Sequence, residues 1–164
     1  MKTIQAQKIT PFLWFDTQAE EAAKFYTSIF KKSKIKKVVR NPVGGPSGPK
    51  GSVLVVDFQI NGQDFTALNG GPGHPLTDAV SFVVNCKTQK EVDYYWGKLT
   101  KGGKEVACGW LKDKYGLSWQ ITPIFLLEML KKGKEPKKVG RMFEAMMKMV
   151  KLDLKALKKA YAGK

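Results

Sequence analysis

The chain has 164 residues, a hydrophobic share of 43% and only two cysteines. This length supports one domain or two small fused modules with a real core, and the cysteine count excludes a disulfide scaffold. The formal net charge of +15 comes almost entirely from Lys, with Arg only at Arg40 and Arg141. It indicates a solvated lysine surface more than a nucleic-acid reader, because Arg is the preferred base reader and no aromatic residues are regularly interleaved with the lysines.

The first module is predicted over residues 9–69. Large apolar side chains predict a strand at residues 9–15, and Asp16 or Thr17 can cap a helix that runs to about Phe30. A Gly- and Pro-rich loop is expected at residues 42–51. Three further strands complete a β-α-β-β-β pattern, at residues 35–40, 52–60 and 63–69.

A linker is predicted at residues 70–78, and a second module follows over residues 79–123. Thr88 can cap its helix, which extends to about Thr100. The strands of the module are predicted at residues 79–86, 104–108, 109–112 and 117–123. The second helix repeats the first at a spacing of seventy residues, because Glu21, Phe25 and Ile29 match Glu91, Tyr95 and Leu99.

The remaining residues, 124–161, are predicted to be helical. Pro136 can open a helix, and Asp153 can start the final amphipathic segment. An apolar stripe rich in Met is typical of a core or dimer contact. It consists of Val139, Met142, Phe143, Met146, Met147 and Val150.

The repeated modules, together with the segments L-W-F-D, L-N-G-G-P and C-G-W-L-K-D-K-Y-G-L-S-W-Q, resemble one family. This is the PhnB-like branch of the vicinal oxygen chelate superfamily, labelled 3-demethylubiquinone-9 3-methyltransferase, whose wider superfamily includes glyoxalase I and bleomycin-resistance proteins. The resemblance implies an α+β fold in which two βαβββ modules form curled mixed sheets around a cavity. The whole chain, 1–164, would then be a single domain of this type, and a homodimer.

Active members of that superfamily bind a divalent metal through residues on the first and last strands of each module. Here the positions that match are Pro11, Thr66, Ala79 or Ser81, and Gln120. None of these is His, Asp or Glu, and one neutral amide does not hold a metal ion. We therefore expect no metal ligands and no cofactor.

Strand alternation predicts which side chains face the cavity, taking position 11 as a ligand position. Asn69 is either a simple strand exit or a polar group at the pocket rim. The predicted ligand-binding residues are Leu13, Phe15, Thr66, Asn69, Ser81, Ser118 and Gln120. They describe an apolar pocket with a few polar groups, which suits a small molecule.

Three other residues are candidates for chemistry, and each has a plain structural alternative. His74 lies in the linker, where it is either an exposed loop residue or a general base. Cys86 and Cys108 follow different strands without an activating motif nearby, which favours buried thiols over a nucleophile or a disulfide.

The function favoured by these patterns is small-molecule binding in a cytoplasmic homodimer with no membrane partner and no specific nucleic-acid partner. The sequence has no apolar run long enough to cross a bilayer. Three alternatives remain open: a metal-dependent lyase, isomerase or dioxygenase; methyl transfer, as the family label states; and nucleic-acid binding by the lysines. Methyl transfer lacks support from any Gly-rich cofactor motif.

Overall fold

A computed structural model describes residues 7–133 and 135–164 of the chain. The chain divides into two compact units, and the boundary follows Pro75, inside the predicted linker. Unit one contains one helix and four strands, and unit two contains four helices and four strands. The predicted α+β class with two β-α-β-β-β modules and C-terminal helices is therefore confirmed.

Unit one consists of a four-stranded mixed sheet and one helix. The sheet has the order β1-β4-β3-β2, in which β1 runs parallel to β4 and the other neighbours are antiparallel. Its elements are β1 Phe12–Phe15, α1 Ala19–Ile29, β2 Lys34–Arg40, β3 Val53–Ile60 and β4 Gln63–Asn69.

The helix α1 covers one face of this sheet. Tyr26 is completely buried and stacks on Phe58, which in turn stacks on its cross-strand partner Phe65. Because side chains alternate along a strand, every second residue of β4 from Phe65 faces α1. The opposite face of the sheet is not covered by α1 and is called the open face of unit one.

Unit two repeats this arrangement in the order β5-β8-β7-β6, with β5 parallel to β8. Its elements are β5 Ser81–Cys86, α2 Gln89–Leu99, β6 Lys104–Glu105, β7 Trp110–Lys112, β8 Ser118–Pro123, α3 Ile124–Lys132, α4 Pro136–Met147 and α5 Leu154–Ala162. Val92, Trp96 and Leu99 of α2 are buried, as are three alternating residues of the sheet, Leu111, Trp119 and Ile121. The sheet face opposite these residues is the open face of unit two.

The C-terminal helices form a second small core in unit two. Met142 of the predicted Met-rich stripe is fully buried in a cluster with Leu126, Leu152 and Leu157. The segment before α5 is tied to the sheet by backbone bonds, since the amides of Cys108 and Gly109 donate to the carbonyls of residues 149 and 150. Cys108 and Gly109 lie in a tight turn, in which the Trp110 amide donates to the Ala107 carbonyl, so β6 is two residues long and not the five predicted at residues 104–108.

No helix within residues 7–133 and 135–164 combines the length and the apolar character needed to cross a bilayer.

Candidate ligand site on the open face of unit two

The open face of unit two brings three predicted site residues onto adjacent strands. Ser81 of β5 pairs with Ser118 of β8, and Val83 pairs with Gln120. Paired residues of a ladder share a face, so Ser81, Ser118 and Gln120 all lie on the face opposite the buried Trp119 and its neighbours. This is the face that strand alternation predicts for them. Their binding of a ligand remains a prediction.

Gln120 and Ser81 are joined by a side-chain hydrogen bond. The Gln120 amide Nε2 donates to Ser81 Oγ over 2.9 Å, and both residues are half-buried. The bond fixes the orientation of the amide. No hydrogen bond from the described residues reaches the carbonyl oxygen Oε1 of Gln120, which leaves an acceptor for an incoming donor group.

Ser118 takes part in a charged network beside this pair. Its hydroxyl donates to Asp78 Oδ1 over 2.7 Å, and Lys112 Nζ lies 3.1 Å from the same oxygen. The Ser118 hydrogen bond and then Lys112 lower the pKa of the Asp78 carboxyl below its ordinary value. Asp78 therefore stays ionised and holds Ser118 away from other partners.

Sequence reasoning missed both charged members of this network. Asp78 lies in the predicted linker, with no periodicity to assign it to a face, and it reaches Ser118 from forty residues away. Lys112 is one of many lysines in the sequence. Strand alternation places Lys112 opposite Ser118 only once the pairing of β7 with β8 is known.

In unit one the structure corrects the face predicted for Leu13 and Phe15. Leu13 pairs with Ala67 and Phe15 pairs with Asn69, and all four are buried on the face covered by α1. Thr66 pairs instead with Phe12, on the open face. Leu13 and Phe15 thus belong to the core of unit one and do not share a face with Thr66.

The error has a specific structural cause. The two helices match at a spacing of seventy residues, but the strands before them match at 71, because Phe15 and Cys86 end the parallel ladders of the two units. Three residues separate β1 from α1, whereas only two separate β5 from α2. Position 11, taken from the family resemblance, matches Ser81 at the helix spacing, but at the strand spacing Ser81 matches position 10, and this slip of one residue exchanges the two faces of β1.

The open face of unit one carries a polar pair that was only half predicted. Thr66 Oγ1 donates to Asp57 Oδ1 over 2.9 Å, and both residues are half-buried. Asp57 is the single charge in the otherwise apolar and amide-bearing strand β3, a signal that sequence analysis overlooked.

Asn69 lies on the face covered by α1 and is 5% exposed. Its Oδ1 accepts a hydrogen bond from the Ala19 amide over 2.7 Å, and its Nδ2 donates to the Val53 carbonyl over 2.9 Å. Since no side chain of α1 itself caps the helix, Asn69 supplies the capping oxygen that Asp16 or Thr17 was predicted to give. Both polar atoms of the amide are engaged inside unit one.

His74 is exposed and its ring meets Trp14 edge-on, with 4.4 Å between centroids. Trp14 is held in turn by a bond from Nε1 to the carbonyl of Gly71. Cys86 and Cys108 are free thiols. Burial raises the pKa of Cys86 to about 12, so this thiol is a poor nucleophile near neutral pH.

The donor atoms of the described residues do not suit a divalent metal. Within residues 7–133 and 135–164, no three His, Cys, Asp or Glu side chains come together. The open face of unit two offers the Gln120 amide and the Ser81 hydroxyl beside the ion-paired carboxylate of Asp78, and that of unit one offers one carboxylate with a hydroxyl. Metals of this class prefer several carboxylate or imidazole ligands.

Comparisons with known proteins identify the family of the chain and structures that share its fold. The model of the family described as 3-demethylubiquinone-9 3-methyltransferase matches residues 7–122. Comparison with curated protein sequences finds none that matches this chain. A Bacillus cereus structure described as a proposed 3-demethylubiquinone-9 3-methyltransferase, PhnB protein, is 40% identical with a TM-score of 0.65, covering 71% of this chain and 99% of that one.

Two more distant structures share the fold alone. A Pseudomonas aeruginosa protein is 16% identical with a TM-score of 0.60, and the match covers 72% of this chain and 98% of that chain. The fosfomycin resistance protein FosX of Listeria monocytogenes, in complex with Mn(II) and sulfate, is 16% identical with a TM-score of 0.52. That match covers 79% of this chain and 98% of that chain.

Proposed function

We propose that this chain, which belongs to the 3-demethylubiquinone-9 3-methyltransferase family, is a small-molecule-binding protein. The ligand contacts Gln120 and Ser81 on the open face of unit two. The protein acts as a cytoplasmic homodimer and holds no resident metal.

The observation that carries this proposal is the pairing of Gln120 with Ser81. A hydrogen bond of 2.9 Å from Gln120 Nε2 to Ser81 Oγ fixes the orientation of the amide. The carbonyl oxygen Oε1 takes no part in this bond and can accept from a ligand. An oriented amide of this kind can accept from a ligand hydroxyl, and Ser81 Oγ can donate to a ligand carbonyl. The ligand that fits is small, neutral and oxygen-bearing.

The neighbouring side chains favour a partly apolar ligand. Val83, the cross-strand partner of Gln120, is 44% exposed, and Trp110 pairs with Gln120 from the other side. Apolar walls around a few fixed polar groups are the usual composition of a small-molecule site. The Asp78–Lys112 pair next to Ser118 is internally neutralised, so it adds little net charge to attract an ion.

The metal found with FosX does not carry over to these residues. Gln120 and the serines are neutral, and metal affinity depends on ligand charge and number. A metal-dependent reaction is therefore not part of the proposal. Methyl transfer, which the family description names, needs a site for a methyl donor, and S-adenosylmethionine is the probe that tests it.

The test is a thermal-shift screen of neutral carbonyl and hydroxyl compounds on the purified protein, with titration calorimetry of the compounds that raise Tm. Gln120→Leu should weaken their binding at least about tenfold, because it removes both polar atoms of the amide, while changing stability by no more than about 1 kcal/mol. Gln63→Leu is the matched control, because Gln63 is an exposed amide on β4 of unit one and should leave binding unchanged.

Three outcomes contradict the proposal. Equal affinity in wild type and Gln120→Leu would place the ligand elsewhere. Tight binding of Mn²⁺ or Zn²⁺ by wild type, or by Gln120→Glu, would show that other ligands converge there and would favour the metal-dependent enzyme. Saturable binding of S-adenosylmethionine would favour methyl transfer.

A further inference from the structure

The helix α4 exposes an apolar stripe that its own unit covers only in part, with Cys108 Sγ lying 3.7 Å from Met147 Sδ. Met142 and Met146 point toward the small core, with Met142 fully buried. Val139, Phe143 and Met147 follow one another at intervals of four residues along another side of the helix. Phe143 is 44% exposed and Met147 is 57% exposed.

This stripe borders a groove at the junction of α3 and α4. The groove is lined by Gly133, Pro136, Val139, Gly140, Phe143 and Glu144. Leu130 and Val150, which lie in sequence before and after α4, are also substantially exposed. Four of the large exposed hydrophobic residues thus fall within a stretch of 21 residues, which is more than scattered surface residues require.

Lysines lie at both ends of the stripe. Lys131 and Lys132 end α3, Lys137 is the second residue of α4, and Lys148 follows Met147 directly. None of these four lysines forms an ion pair with a described residue, in contrast to Lys138, which is bonded to Glu135. Residues 124–164 contain twelve Lys and Arg against four Asp and Glu, giving a net charge of +8 out of the +15 of the chain.

The charge decides among occupants of the stripe. A second copy packed through this stripe would bring its own four lysines against these four, so we expect the proposed dimer to form through another surface. Nucleic acid would bind the lysines, but the row of Val, Phe and Met does not offer the regularly spaced aromatic side chains on which bases stack. A basic, amphipathic helix with Phe on its apolar side suits an anionic lipid surface.

We propose that α4 docks the protein reversibly on an anionic membrane surface, with Phe143 and Met147 entering the headgroup region and Lys131, Lys132, Lys137 and Lys148 facing the lipid phosphates. The family model ends at residue 122, before α3 begins. The docking helix therefore belongs to a segment outside the part of the chain that the family shares.

The test is co-sedimentation of the full chain with vesicles of phosphatidylcholine alone and of phosphatidylcholine with about 30% phosphatidylserine, at about 0.1 M and about 0.5 M NaCl. Wild type should bind the anionic vesicles and keep a measurable share of this binding at the higher salt. Phe143→Ser with Met147→Ser should lower the partition coefficient about tenfold at constant charge. Val80→Ser is the matched control, since Val80 is 64% exposed in the same unit, and should bind as wild type.

Three results would overturn the proposal. If the double variant binds anionic vesicles as tightly as wild type, attraction is by lysine charge alone. If the double variant weakens binding to a DNA duplex as much as it weakens binding to vesicles, the stripe serves nucleic acid. If the double variant converts a dimer into a monomer, the stripe is an interface with a second copy. Unchanged far-UV circular dichroism and Tm in the double variant show that the fold is retained.

Discussion

Asn69 shows how a single amide can tie three parts of unit one together. Its oxygen accepts from the first residue of α1, its nitrogen donates to the first residue of β3, and it stands itself at the end of β4. Such a group is costly to remove, because the Ala19 amide loses its capping acceptor and the Val53 carbonyl loses a donor.

Asn69→Ala should therefore lower the free energy of unfolding by about 2–3 kcal/mol, as expected for a lost cap together with a lost hydrogen bond to the Val53 carbonyl. Urea denaturation followed by circular dichroism measures this change. Asn85→Ala, on an exposed amide, should change stability by less than about 0.5 kcal/mol. Equal effects of the two substitutions would mean that the Asn69 bonds contribute nothing.

At this scale the sequence predicts residue type better than residue face. Gln120 and Ser81 were assigned correctly to the open face, because the hydrophobic alternation of β8 is unambiguous. Leu13 and Phe15 are assigned to the wrong face by the one-residue slip in β1, which its four large apolar residues, having no polar alternation, do not reveal. The bond partners of Ser118 and Asn69 were invisible, since they come from residues 40 and 50 positions away.

The helix α5 depends on a residue of α2 at the level of elements. Gln89 Oε1 accepts from the Leu154 amide and Gln89 Nε2 donates to the Leu152 carbonyl, so this side chain holds the backbone at the start of α5. Asp153 caps the same helix by accepting from the Ala156 amide. The docking of α5 is thus specified by two side chains, one of them distant in sequence.

Gln89→Ala should loosen the start of α5 without unfolding α2. Hydrogen–deuterium exchange measured by mass spectrometry should be at least about fivefold faster for residues 152–157, because the backbone there loses its hydrogen bonds to the Gln89 side chain. Residues 92–99 should exchange as in wild type. Lys90→Ala, an exposed neighbour, serves as the control, and a uniform increase across unit two would contradict a local role for Gln89.

Helix caps supplied by a residue next to the helix could be predicted from the sequence, whereas a cap supplied by a distant residue could not. Thr88 accepts a hydrogen bond from the Glu91 amide, as predicted. The carboxylate of Glu91 in turn accepts one from the Lys87 amide. Pro136 opens α4 and Asp153 caps α5, also as predicted. The strand β6 is shorter than predicted because residues 107–110 form a turn closed by a bond from the Trp110 amide to the Ala107 carbonyl.

The oligomeric state belongs to the whole molecule, and the structure changes the argument for it. The Met-rich stripe was one reason to expect a dimer. Met142 is instead buried inside unit two with Leu126 and Leu157, so that part of the stripe needs no second subunit. The prediction of a homodimer then depends on the family resemblance alone.

Sedimentation equilibrium should still give twice the chain mass of 18.3 kDa at micromolar concentration. A net charge of +15 per chain opposes association, so the dimer should be favoured as salt rises and screens the repulsion. Phe143→Ser with Met147→Ser should leave the mass unchanged. A mass of one chain at all salt concentrations would contradict the homodimer.

The bonds between Cys108, Gly109 and residues 149 and 150 also bear on how the chain folds as it is synthesised. All four strands of unit one lie before residue 70, so its sheet can close while later residues are still being added. The small core of unit two includes Leu152 and Leu157 and cannot close until these residues have left the ribosome. A nascent chain that stalls near residue 140 therefore carries a finished first unit and an exposed, apolar second one, the stage at which a chaperone is most needed.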